Sequence, residues 1–574
     1  MDTTNSITEN HKFTYINNLV DIFYKYMADA YIAYNKIKFD YDLKIANNSE
    51  ETDINVINKV NKPFIDYFLF ELFYNFGIKR RMVSENIALL YYSKELKGYK
   101  ATEPITILCR HMLLDISIMR IVSLGVPKAI KIDEFCKIYE IDKTNSETNF
   151  IKDSLENSIP KFRLYKFSEG TMITYNPSLN KYSITTITTP VEDIDGIDGI
   201  DNIDGIDCIE SMNIDGIQQN QGTLNTNIEI KFNQQFTYST RKVVGTGSFN
   251  SLKTFSEMFE ENNSITSTNL QNIPEEIIRD TVLVFNIEHP DNRIISSSLR
   301  NCNTLCAVFK FKSEDSSREQ FEKIRNTTYS LDNEEIIKNY FKELGSNMIN
   351  QIQVSNFKQQ VKEYNVNLFL PEIIKKFKKT EVIDEAMDVI TTTNYESHTF
   401  EEIESIIGNK PGDFQGYIIY GINGERSKFS NKKYKDLVQL KGNKPIVIEQ
   451  WNTKNLFYLY WRLVKEKKIN DFINEFDLKT GDNQFMYVKL FNWFLNLVRS
   501  YSINLFTVYH NSFVKKTMQK SEIPFSMKPM CGDLHKLYMS NKVPITPQSV
   551  ELYVFNQSSS KIFWRMFLDK PLKQ

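Results

Sequence analysis

Histidine and cysteine are scarce in this chain, with six of each among 574 residues. Cys109, Cys136, Cys208, Cys302, Cys306 and Cys531 are too sparse for a disulfide framework and suit a reducing compartment. Cys302 and Cys306 have no second Cys/His pair nearby, so they read as ordinary buried thiols rather than as half of a zinc site. The histidines never pair at metal-ligand spacing, and His111, His289 and His535 are expected to be structural hydrogen-bonding groups. Net charge is also nearly absent: 70 basic against 72 acidic side chains leave −2. That excludes a global field for nucleic acid and requires any such contact to use a local basic cleft.

Long apolar runs are missing too. No stretch reaches the roughly 18–20 residues of a membrane helix, and the opening MDTTNSITENHK has no apolar segment of a secretory signal. The expectation is an intracellular, soluble, cytoplasmic protein without a membrane partner. The segment GTGSFNS (245–251) lacks the Gly-Lys-Ser/Thr ending of a P-loop and reads as a turn before a helix starting near Leu252. A poly(A)-polymerase type of nucleotidyl transfer is disfavoured, because no Gly-Ser is followed closely by an Asp-x-Asp pair on a strand.

What is present is aromatic: 40 Phe and 30 Tyr within a 41% apolar, 25% charged composition, as in a folded protein of several structural units. From Phe13 to about Ile37, Ile16, Leu19, Val20, Phe23, Met27, Ala30 and Tyr31 recur at three- and four-residue steps, the pattern of an amphipathic helix. Phe64 to Phe76 reads the same way. The runs ITILC, MRIVSL, KFRLYKF and GTMITY between Ile105 and Tyr175 are strand-like, as are FTYST and TVLVFNIEH further on. Residues 333–379 have a charged helical texture. GYIIYG and KPIVIEQ read as a strand pair bracketing a loop, and helical periodicity returns after Asn455.

Residues 190–228 hold tandem Ile-Asp-Gly triplets and a polar tract that cannot build a core, so they are read as a surface insertion. The organisation that follows is a helical N-terminal region (1–104), an α/β unit (105–450) carrying that insertion, and a helical C-terminal domain (451–574). The aromatic run of the first region is expected to be core rather than a base-stacking platform.

Several segments recur in a consistent order: LCRHMLLD (108–115), MRIVSLGVPKAI (119–130), KFSEGTMI (166–173), YSTRK (238–242), VFNIEHPDNRII (284–295), DFQGYIIY (413–420) and SKFSNKKY (427–434), with a weaker echo at IPFSMKPMCGDLH (523–535). The series resembles the RNA ligase 1 branch of the covalent nucleotidyltransferases, in divergent versions similar to those of large DNA viruses. The resemblance implies an α+β fold: a nucleotidyltransferase (ATP-grasp-like ligase) domain with antiparallel sheets between helical ends. It implies an activity that uses ATP and Mg²⁺ to adenylate a lysine, pass AMP to an RNA 5′-phosphate and seal the RNA end. RNA is the implied partner.

By the same resemblance, Arg110 and Lys128 match phosphate-holding positions, Arg241 or Lys242 faces the nucleotide, and Lys428 reaches the α-phosphate. Lys166 is the candidate nucleophile beside Glu169 and Gly170. The chemistry-bearing positions depart from the family pattern. Three residues before Gly170 stands Phe167, so Lys166 serves only where a bulge re-aims it, because a one-residue slip on a strand reverses the side chain's face. The acid expected on the VFNIE strand falls on Asn286, with Glu288 two residues on as the metal candidate. Gln415 stands at a further acidic position that would line the nucleotide, and Ser430 at the second lysine. An amide hydrogen-bonds a ribose but brings no charge to Mg²⁺. The alternative is therefore a non-catalytic nucleotide- or RNA-binding protein, or a scaffold, that retains the ligase fold.

Overall fold

The computed structural model describes residues 14–46, 63–143, 162–182, 238–240, 253–292, 295, 300–312, 321, 323–324, 333–346, 348–371, 399–421, 423–442, 453–476 and 486–567. The 190–228 insertion, Arg241, Lys242 and KPIVIEQ (444–450) lie outside them.

The chain opens with α1 (Thr14–Ala46) and α2 (Phe64–Phe76). Phe23, Met27 and Tyr31 of α1 are buried where the periodicity puts them, and Phe68 lies edge-on to Phe23. Helix α2 stops at Gly77, whose φ of 65° is left-handed and whose missing Cβ leaves room for the Tyr99 backbone 2.8 Å away; only glycine satisfies both conditions.

The first 104 residues are not purely helical. β1 (Ile78–Met82) and β2 (Ile87–Tyr92) precede the short α3 (Pro104–Leu108), β3 (Met112–Asp115) and β4 (Arg120–Leu124), and the four strands form one antiparallel sheet that runs across the expected boundary at 104. β1 is hidden in the sequence because IKRRM has a polar strand's composition; its pairing with the mostly buried IALLYY of β2 decides its state. ITIL, expected as a strand, is α3: Pro104 occupies its first turn with φ already set for a helix.

Next come α4 (Ile132–Ile138), β5 (Phe162–Lys166), β6 (Thr171–Tyr175), β7 (Tyr238–Ser239), α5 (Phe255–Thr266), the one-turn α6 (Glu275–Ile278), β8 (Thr281–Glu288) and β9 (Cys302–Phe311). Then follow α7 (Glu334–Gly345), β10 (Ile349–Ile352), α8 (Val354–Val361), α9 (Phe400–Asn409), β11 (Gly416–Gly421), β12 (Arg426–Ser430) and α10 (Lys432–Lys441). The expected helix near Leu252 begins at Phe255, with Thr254 and Glu257 forming a reciprocal capping box. The expected loop after GYIIYG holds β12 and α10, and GYIIYG pairs with β12.

Two more antiparallel sheets result, one of order β10-β9-β8-β6-β7 and one of order β12-β11-β5. Leu283, Phe285 and Ile287 of β8 pack with Phe259 and Phe357, whereas Val282 and Val284 on its other face join the large core that includes α1. The architecture is thus α+β with antiparallel sheets.

Helices α11 (Thr453–Glu466), α12 (Ile469–Phe476), α13 (Met486–Tyr509), α14 (Lys528–Asn541), α15 (Pro547–Asn556) and α16 (Ser559–Phe567) enclose a separate core around Phe457, Trp461 and Phe494. Arg462 ties this bundle to the end of α10 by donating to the Gln439 and Leu440 carbonyls at 2.8 and 2.7 Å. Among the described residues no helix is long and apolar enough to cross a membrane.

Candidate functional site

Segments far apart in sequence meet in pairs. β5 pairs with β11, β6 with β8, and Ile130 bridges to Ser427 of β12, where the Ser427 hydroxyl donates to the Ile130 carbonyl at 2.9 Å. Lys128 is thereby carried to the strand that holds Lys428.

Register then assigns faces. Tyr420 stands opposite both Arg426 and Arg163, and Ile418 opposite both Lys428 and Tyr165, so these six side chains share one face of the three-stranded sheet. The other face, with Leu164, Ile419 and Phe429, is apolar core. The polar face looks toward β8 and β9. Cys306 is the extra residue where pairing passes from Val284–Ala307 to Phe285–Leu305, and this half-buried bulge residue feels the charges of Arg426 and Arg110. Burial is the main cause that raises its pKa to about 11.

Lys428 lies at the centre. Its pKa falls well below the ordinary lysine range, first because of burial and then because of Arg426, Arg110, Lys435 and Lys128, in that order. The four largest charge effects on this amine therefore all come from cations. Its Nζ sits 4.1 Å from the centroid of the Phe167 ring.

Arg426, which the sequence reading did not single out, is 4% exposed. Its Nε donates to the Pro127 carbonyl at 2.9 Å, while its Nη2 is buried with no hydrogen-bond partner. The signal was available, since Arg426 stands two residues before Lys428 and must share its face if both are on a strand. Lys128 donates to the Ala101 carbonyl at 2.8 Å, and burial is the main cause that lowers its pKa, opposed by Glu134 and aided by Lys94 and Lys131. Arg110 reaches the Val126 carbonyl only at 3.5 Å.

Lys166 is corrected. The β5–β11 pairing runs without a shift, and Lys166 stands opposite Tyr417 on the face that belongs to Leu164. No bulge re-aims it; its side chain is exposed at the strand end. Phe167 continues the strand by donating its N–H to the Gly416 carbonyl at 2.9 Å and occupies the place over Lys428.

Glu169 is 4% exposed and engaged by protein groups: its two oxygens accept the Ile295 N–H at 3.1 and 2.9 Å, and the Tyr434 hydroxyl donates to it at 2.9 Å. It anchors the turn after β5 to α10 and to the segment after β8. A Cβ on Gly170 would stand 2.4 Å from the Ile287 carbonyl oxygen and 2.7 Å from Asn286 Nδ2, so the glycine is what lets this turn close on β8. Gln415 presents a buried Oε1 without a hydrogen-bond partner.

Glu288 has its pKa raised by burial, countered by a hydrogen bond with Ser168 and by Lys166 and Arg300. One such carboxyl, with amides at 286 and 415, does not make a protein-held Mg²⁺ site. Among the described residues no group of three His, Cys, Asp or Glu side chains is placed to hold a metal. His111 is buried and hydrogen-bonds Thr174 Oγ1 at 3.2 Å; burial and then Arg110 push its pKa down to about 3.

The arrangement can attract and hold an anion: Arg426 is withdrawn from water with an unpaired guanidinium nitrogen, Lys428 is half-buried two residues on, and Arg110 and Lys128 stand near enough to act on its amine. No protein-family model matches the chain, and no curated protein matches it.

Proposed function

We propose that this cleft binds the phosphates of a nucleotide and that the protein is an RNA ligase-like nucleotidyltransferase acting with ATP at RNA 5′ ends. The observation that carries the reading is the buried guanidinium of Arg426 beside the half-buried Lys428. Burying the Arg426 guanidinium with its Nη2 unsatisfied costs about 1–3 kcal/mol or more, and a bound phosphate supplies the missing acceptor. Arginine suits that role because its planar fork pairs with two phosphate oxygens at once. The described residues supply no metal cage, so Mg²⁺ would arrive on the nucleotide.

Binding of a fluorescent ATP analogue to the full chain is the direct test. Arg426→Ala is expected to weaken it at least tenfold, and Arg426→Lys by less. Absence of ATP binding by the unaltered chain would remove the reading. Affinity for 5′-phosphorylated RNA is expected to fall with salt, as phosphate contacts require, and to exceed that for the same RNA with a 5′-hydroxyl.

A second reading is favoured by one observation, Phe167 over Lys428 where the family pattern expects the adenylated lysine. In that reading the fold holds nucleotide or RNA without chemistry, as a binding module or scaffold. Both readings expect Lys166→Ala to leave nucleotide binding within about twofold, because its side chain points away from the cleft.

A further inference from the structure

We infer that Lys428 is the nucleophilic amine of the cleft and takes the nucleotidyl group from a nucleoside triphosphate. The inference rests on the phosphate-binding reading above. Three observations carry it.

The first is place. Lys428 lies on the cleft face of β12, opposite Ile418 and two residues from Arg426, with its amine over the Phe167 ring at 4.1 Å. Among the described residues that nitrogen has no hydrogen-bond partner; its contact is the face of the Phe167 ring. The second is charge state. Lysines become nucleophiles when they are desolvated or set beside another cation, because both conditions favour the neutral amine with its free electron pair. Lys428 is half-buried, and after the loss of hydration that is the largest cause of its lowered pKa, Arg426 and Arg110 head the charges that act on it. The third is division of labour. Arg426 presents a guanidinium whose buried Nη2 has no hydrogen-bond partner. It can neutralise an incoming phosphate while the shift at Lys428 favours the neutral amine.

In the step itself the Lys428 nitrogen attacks the α-phosphorus of the nucleoside triphosphate. A P–N bond forms, the bond from the α-phosphorus to the bridging oxygen breaks, and its electron pair leaves on pyrophosphate. The proton from the nitrogen passes to solvent. No oxidant or reductant is involved.

The test incubates the full chain with α-³²P-labelled ATP and MgCl₂, denatures it in SDS and maps the label by peptide mass spectrometry. ATP binding is measured in parallel by equilibrium dialysis. The expected result is label on Lys428 that survives alkali and is released by mild acid, as a phosphoramidate is. Lys428→Arg should bind ATP without labelling, and Lys166→Ala should label as the unaltered chain does. ATP binding without label, or label on Lys166 or any other residue, would overturn this inference and leave the phosphate cleft standing. Absence of ATP binding would overturn both.

Discussion

Single side chains set the character of the cleft, and two of them give predictions that need no ligand. The Tyr434 hydroxyl donates to a Glu169 carboxylate buried between α10 and the turn after β5. Tyr434→Phe removes that donor and leaves a buried charge short of one partner, so the chain is expected to lose about 1–3 kcal/mol. A melting temperature unchanged by this substitution would show that the pair carries no stability. His111 gives a pH dependence. Its folded pKa of about 3 lies below its ordinary value near 6.5, so the unfolded chain binds the proton first. Stability tied to His111 is therefore intact above about pH 6.5 and falls as the pH drops toward 3, by about 2 kcal/mol at pH 5. His111→Gln is expected to flatten denaturant midpoints between pH 7 and 5, and the slope that remains belongs to groups such as His289, whose pKa burial also lowers.

At the scale of elements, pairing is what turns sequence neighbours into site partners. The strand β11 holds both β5 and β12, and its first residue, Gly416, has a φ of 138° and a hypothetical Cβ only 2.0 Å from the Phe429 carbonyl oxygen. Gly416→Ala is expected to cost about 3 kcal/mol or more, since both the backbone angle and the space are closed to a side chain. Because β12 carries Arg426 and Lys428, nucleotide affinity should fall together with stability. Thermal unfolding followed by circular dichroism, beside ATP titration, checks both. Element identity was legible where periodicity was strong: α1, α2, β5, β6 and β8 fall where the pattern of the sequence puts them. It was illegible in β1 and α3. A charged IKRRM is a strand only because β2 lies beside it, and a β-prone ITIL is helical only because a proline and the surrounding core require it.

Over the whole molecule, two sets of apolar contacts are separate. The cluster around Phe457 and Phe494 is built from the helices α11 to α16 with Leu440 of α10 and Ile523, whereas the polar face that holds Arg426 and Lys428 is built on the cores that contain α1 and the sheets. Phe494→Ala, at 0% exposure, is expected to destabilise the helical bundle by about 3–5 kcal/mol. ATP affinity should change by less than about twofold. Loss of both together would mean that the two parts unfold as one cooperative unit.

By itself the sequence determined the broad plan: helices at both ends, antiparallel strands between them, a low-complexity insertion, and Arg110, Lys128 and Lys428 as cations of interest. The helical ends, the strand-like runs and the insertion depend on local periodicity and composition, which one chain displays directly, whereas the antiparallel arrangement and the three cations were implied by the resemblance to the RNA ligase 1 branch. Tertiary structure alone decided which lysine faces the cleft. Side chains alternate across a strand, so the same residues support Lys166 or Phe167 as the inward group until the register against β11 is known. That register turns Lys166 outward and sets Phe167 over Lys428. It also brings in Arg426, whose partnerless guanidinium nitrogen exists only because other elements cover it.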